Sequence, residues 1–144
     1  MQNTCGAMAD ESTTPDLVEL TRRNIAAFSR GDLDEMMSFF APDAVLVGRL
    51  ATYEGVAATR DFYDNWMSGY ENFHIEPVEM SDLGKGVVYA VCSQGGRPEG
   101  SAGQVLERTA VVLTYEEGLI VRVAAYSDID EARAAAERLA QKRE

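Results

Sequence analysis

The apolar positions of this chain change period once, near residue 70. Before that point they recur at helical spacing. Leu17, Leu20, Asn24 and Phe28 stand three, four and four residues apart, which predicts a helix to about Arg30 with Asn24 on its buried face. Pro15 suits its first turn and Thr14 its N-cap. Arg30-Gly31-Asp32 then forms a hinge, because glycine accepts the left-handed conformation that closes a helix and Asp32 can cap the next one. The second helix is predicted over Leu33 to Phe40, with Leu33, Met36, Met37 and Phe40 inward, and Ala41-Pro42-Asp43 ends it. Asp43 to Arg49 reads as a strand. Thr52-Tyr53-Glu54-Gly55 reads as a turn into a third helix ending near Gly69, with the stripe Thr59, Phe62, Tyr63, Trp66 and Tyr70.

From Phe73 onward the pattern alternates as strands do. Phe73 to Glu76 and Val78 to Met80 are short strands, and Asp82 to Gly86 is a turn. Val87 to Gln94, Val105 to Tyr115 and Leu119 to Ser127 are longer strands rich in β-branched and aromatic residues, the last two joined by a tight turn at Glu116-Glu117-Gly118. The glycine-rich segment Gly95 to Gly103 lacks a lysine and a following helix, so it is read as a mobile hairpin loop and not as a phosphate cradle. Asp128 to Gln141 makes a final helix, with Asp128 and Glu131 spaced as in a capping box. Helices grouped before a sheet give an α+β fold with one domain over residues 14–144.

Composition narrows the partners. A net charge of −11 and a pI near 4.5 oppose binding to a phosphate backbone or an anionic membrane, so neither nucleic acid nor membrane is expected as a partner. Residues 1–13 lack the basic start and apolar centre of a secretory signal and are read as a disordered leader, with Met8 an alternative start. Two cysteines, Cys5 and Cys92, make neither a disulfide framework nor a metal-ligand spacing, which favours reduced thiols and a cytoplasmic location. His74 is the only histidine, and its neighbours Phe73 and Ile75 put it on the opposite strand face. No metal site and no cofactor is expected.

The hinge RGDLD, the run FFAPDA, the YEG turn before the third helix, FHIEP, and EEGLIVRVAAYSD leading into an alanine-rich helix occur in an order and spacing that resembles the SnoaL-like family of the nuclear transport factor two-like superfamily. The resemblance covers about Leu17 to Leu139. It implies a cone in which a curved antiparallel sheet wraps around the N-terminal helices, a pocket at the open end, and a homodimer formed through the outer sheet face. Ketosteroid isomerases belong to the same superfamily. Carried over from them, the general base falls on Gly48, the oxyanion-hole tyrosine on Asn24, the second oxyanion donor near Val111 and the supporting tyrosine on Tyr63. Base and acid are both missing, which excludes their reaction, since proton abstraction beside a carbonyl needs a positioned base.

Polyketide cyclases of the family use an aspartate near the end of the sheet. Asp128 is the candidate here, with helix capping as its structural alternative. The Asp-Arg-Asp network of epoxide-hydrolase relatives finds only Glu107 and Arg108, which point to opposite strand faces. By strand parity Val121, Val123, Ala125 and Ser127 share the interior face, and Asn24 and Tyr63 project from two helices toward it. The expected ligand contacts are Asn24, Tyr63, Trp66, Tyr53 at the rim, and Ser127. The function this predicts is binding of a small hydrophobic molecule in the cone. Its enzymatic version is a cofactor-independent isomerase, cyclase or hydrolase, and its alternative is a non-catalytic interaction module with a vestigial pocket.

Overall fold

The computed structural model describes residues 16–143. The leader, Thr14 and Pro15 lie outside them. Helix α1 (Leu17–Ser29) is capped by Asp16, whose carboxylate accepts a hydrogen bond from the Glu19 amide at 3.1 Å, so the cap falls two residues after Thr14. Gly31 takes φ +79°, and Asp32 caps α2 (Leu33–Met37) by accepting from the Glu35 amide at 3.1 Å, as the hinge predicted. Helix α2 is shorter than expected. Pro42 pushes Ala41 toward extended backbone, and Phe40 leaves the helix to open strand β1 (Phe40–Val47).

The Thr52–Glu54 segment is a short edge strand, β2, paired with Val45–Val47, and the turn narrows to Gly55 before α3 (Val56–Ser68). Strand β3 (Tyr70–Gly84) replaces the two short strands expected, with a pairing irregularity after Pro77 standing where a break was predicted. Tyr70 therefore begins a strand and does not end a helix. Strands β4 (Val87–Pro98), β5 (Val105–Glu116) and β6 (Leu119–Tyr126) and helix α4 (Ile129–Lys142) complete the chain. The glycine-rich loop is shorter than predicted, because Gly95 and Gly96 remain in the ladder opposite Leu106 and Val105.

The strands form one open, curved sheet in the order β2-β1-β6-β5-β4-β3. Every pair is antiparallel except β1 with β6. Helices α1, α2 and α3 share the inner core with the strands, whereas α4 lies against the outer face that the resemblance assigned to subunit pairing. Strand β4 is buried on both sides. Val88, Ala90 and Cys92 enter the inner core, and Val87, Tyr89 and Val91 pack with Ala132 and Ala136 of α4. In β6 the expected parity holds for Val123, but a register irregularity at Thr114/Tyr115 resets the phase, so Ile120 and not Val121 belongs to the inner core.

One buried bond ties α1 to the sheet. Thr21 Oγ1 donates to the Leu17 carbonyl at 2.8 Å and so accepts from the Tyr115 hydroxyl at 2.7 Å.

Candidate functional site

Between the inner sheet face and helices α1 and α3 lies a cavity of about 770 Å³. Such a volume falls within the range of small-molecule sites. One wall is aromatic. Phe28 of α1 stands 5.0 Å from the Tyr63 ring and 5.4 Å from the Trp66 ring, and both of those project from α3 at helical spacing. Tyr53 of β2 packs at a tilt against Phe62, 4.9 Å between ring centroids, and brings the edge strand onto the same wall.

Polar groups enter this apolar chamber at defined points. Asn24, 5% exposed, donates from Nδ2 to the Met36 carbonyl at 2.9 Å, which fixes its amide and joins α1 to α2. Tyr63 is 7% exposed and lines the cavity, and its hydroxyl makes no hydrogen bond to the described residues. Burial raises the Tyr63 hydroxyl above the usual tyrosine range, helped by the nearby Cys92 thiol, so it stays protonated and can donate. Burial likewise pushes Cys92 up to about 12 and leaves it a neutral thiol at physiological pH.

Parity along β4 and β5 sets the remaining wall. Val88, Ala90, Cys92 and Gln94 alternate inward on β4, and they face Leu113, Val111, Thr109 and Glu107 on β5. The last pair is polar. Gln94 Nε2 donates to Glu107 Oε1 at 3.3 Å. Exposed Arg49, Asp61 and Asn65 stand with Glu107 among the lining residues, where the cavity meets solvent.

A family model described as the SnoaL-like domain matches residues 21–123. The chain belongs to the SnoaL-like domain family. Solved structures agree on the fold. This SnoaL-like domain is similar to a protein with a ketosteroid isomerase-like fold from Catenulispora acidiphila DSM 44928, in complex with trimethylamine, at 21% identity and TM-score 0.68, covering 86% of this chain and 94% of that one. It is also similar to an NTF2-like protein of unknown function from Burkholderia pseudomallei K96243, at 17% identity and TM-score 0.71, covering 82% and 95%. A putative polyketide cyclase from Sinorhizobium meliloti matches at 26% identity and TM-score 0.63, covering 81% and 98%. No curated protein matches the chain.

Within the SnoaL-like domain, the four positions carried over from the ketosteroid isomerases, Asn24, Gly48, Tyr63 and Val111, all line the cavity. Of these, Gly48 and Val111 carry no group that could act as a base or a hydrogen-bond donor from the side chain. Of the expected ligand contacts, the fold brings Asn24, Tyr63, Trp66 and Tyr53 to one cavity. Ser127 and Asp128 are exposed and lie outside its lining. Asp128 caps α4 by accepting from the Glu131 amide at 3.1 Å. Asp128→Ala is therefore expected to cost about 1 kcal/mol in thermal or urea unfolding and to leave ligand affinity unchanged. A loss of affinity at constant stability would return Asp128 to the site.

The carboxylates that do reach the cavity, Asp61 and Glu107, are residues that sequence reasoning missed, as is Gln94. Glu107 was weighed only with Arg108, which does not line the cavity. For Gln94 the available signal was its parity with Cys92 in an otherwise apolar strand. Among the described residues no three His, Cys, Asp or Glu side chains are grouped to hold a metal ion, and no helix is long and apolar enough to cross a membrane.

Proposed function

We propose that this SnoaL-like domain binds a small hydrophobic molecule in the cavity between the sheet and helices α1 and α3. The observation that carries the reading is Tyr63, a 7% exposed side chain on the aromatic wall of the cavity, whose protonated hydroxyl makes no hydrogen bond to the described residues. An unpartnered hydroxyl in an apolar chamber costs stability unless water or a ligand answers it. The cavity has room for either, and its apolar walls favour an organic guest. The Catenulispora protein's complex with trimethylamine supports a small organic ligand for this fold.

A catalytic reading, as a cofactor-independent isomerase, cyclase or hydrolase, is favoured by one observation, the two carboxylates Asp61 and Glu107 on the cavity wall. Either is better placed than Asp128 to move a proton on a bound molecule. Ligand binding is common to both readings and is tested first.

Trp66 is the only tryptophan and lines the cavity, so its emission reports directly on occupancy. Titration with 2-naphthylmethanol, a neutral aromatic alcohol, is expected to change that emission saturably. Tyr63→Phe is expected to weaken this binding roughly fivefold while shifting folding stability by less than about 0.5 kcal/mol, because the lost hydroxyl leaves no internal partner behind. Equal affinity in the two proteins would remove Tyr63 from the site, and no saturable response in the parent protein to this alcohol or to its amine and carboxylate analogues would remove the binding reading.

A further inference from the structure

The Gln94–Glu107 pair is an imbalance of acceptors. Gln94 is 6% exposed, and its Oε1 is buried with no hydrogen-bond partner, while its Nε2 is committed to Glu107. Glu107 forms no ion pair among the described residues. Both side chains line the cavity and stand directly opposite each other across β4 and β5. An amide oxygen and a carboxylate on one patch of wall offer several lone pairs against a single remaining amide hydrogen, since Gln94 Nε2 has given one of its two to Glu107.

We infer that the bound molecule carries a hydrogen-bond-donating cationic end, a protonated amine on an aromatic or aliphatic body, and that this end docks on Gln94 Oε1 and the Glu107 carboxylate. The inference rests on the binding reading above and narrows its ligand class. An ammonium group supplies donors to both acceptors at once and neutralises the carboxylate, which a neutral hydroxyl does not. The aromatic walls act in the same direction. Phe28, Phe62, Tyr63 and Trp66 present ring faces and edges around the chamber, and ring faces attract a cation. The lining charges sum to the same sign: Asp61 and Glu107 against Arg49 leave an excess of one negative charge on the wall. The net charge of −11 adds a long-range field that concentrates cations and depletes anions near the entrance.

The test uses the intact chain, Trp66 emission and three probes that share one aromatic body: 2-naphthylmethylamine, 2-naphthylmethanol and 2-naphthoate. The amine is expected to bind tightest and the carboxylate weakest. Glu107→Gln keeps the size and the exposed position of the side chain, and it is expected to weaken the amine roughly fivefold while leaving the alcohol within about twofold. Gln94→Leu removes the buried acceptor and is expected to weaken the amine as well, at unchanged or higher stability. Equal binding of amine and carboxylate, or an amine-to-alcohol ratio unchanged by Glu107→Gln, overturns the inference and leaves the binding reading standing. No saturable response to any of the three at millimolar concentration overturns both.

Discussion

Phe28→Ala is expected to lower the unfolding free energy by about 3–5 kcal/mol, the usual cost of removing a buried aromatic ring without repacking. Three features place it at the upper end. The ring is 2% exposed, it lies 5.0 Å from Tyr63, 5.4 Å from Trp66 and 5.0 Å from Phe73, and those neighbours come from two elements, α3 and β3, that it joins to α1. Its loss would open space against a cavity that is already there, so the surroundings can tilt inward but cannot fill the gap with a new side chain. Urea unfolding followed by Trp66 emission measures the effect and also reports a red shift as water reaches the indole. Since a domain of this size is stable by about 5–15 kcal/mol, the variant would stand near the limit of folding. Phe28→Leu, which keeps most of the volume, should recover well over half of the loss. A full loss in the leucine variant would show that ring geometry, not volume, is what α1 contributes.

Gly95→Ala is expected to be nearly as damaging, by about 2–3 kcal/mol, although it adds a single methyl group. A Cβ at Gly95 would meet the Val105 carbonyl oxygen at 2.3 Å and the Leu106 Cα at 3.4 Å, both backbone atoms that cannot swing aside. Relief requires β4 and β5 to separate where Gly95 faces Leu106, one step from Gln94 and Glu107. The change should therefore damage the polar wall of the cavity along with the fold. Gly100→Ala is the control. It lies beyond the ladder with no neighbouring atom within 4 Å, so any cost comes only from its positive φ of +82°. Equal thermal shifts for the two variants would mean that the close approach at Gly95 contributes nothing of its own.

The helical half of the molecule was legible because its signals are local. The stripe Leu17, Leu20, Asn24, Phe28, the Gly31-Asp32 hinge and the Asp128 cap each sit within a turn or two of the residues they act on. Where such signals were misread, a longer-range preference prevailed. Phe40 fits a helical stripe, yet Ile120 of β6 donates its amide to the Phe39 carbonyl at 2.9 Å and draws the segment into the sheet.

The candidate site was legible on its helical side for the same reason. Asn24, Tyr63 and Trp66 are polar or aromatic residues on apolar stripes, and the stripes alone point them inward. The wall made by Gln94 and Glu107 was hidden by register. With the strand ending at Gln94 and the next beginning at Val105, the natural partner of Gln94 is Val105. The true partner is two residues further on, because two glycine-bearing rungs of ladder lie inside what reads as loop. Asp61 was missed for a simpler reason: it flanks the α3 stripe and becomes a lining residue only once the opposing sheet closes the space.

Strand β4, with a core on each side, also bears on how the chain avoids misfolding. Most half-buried strands are held in phase by the penalty for turning hydrophobic side chains to water. Here a slip of one residue would exchange Val88, Ala90 and Cys92 for Val87, Tyr89 and Val91, apolar for apolar, and solvent would barely register the error. The discrimination must come from shape. Tyr89 cannot occupy the space of Ala90, and the rung at Gly95, where two backbones nearly touch, admits no Cβ. Correct threading of this domain thus depends on fit and not on greasiness, and substitutions that are conservative in polarity but not in size at residues 87–95 would be the ones to trap it out of phase.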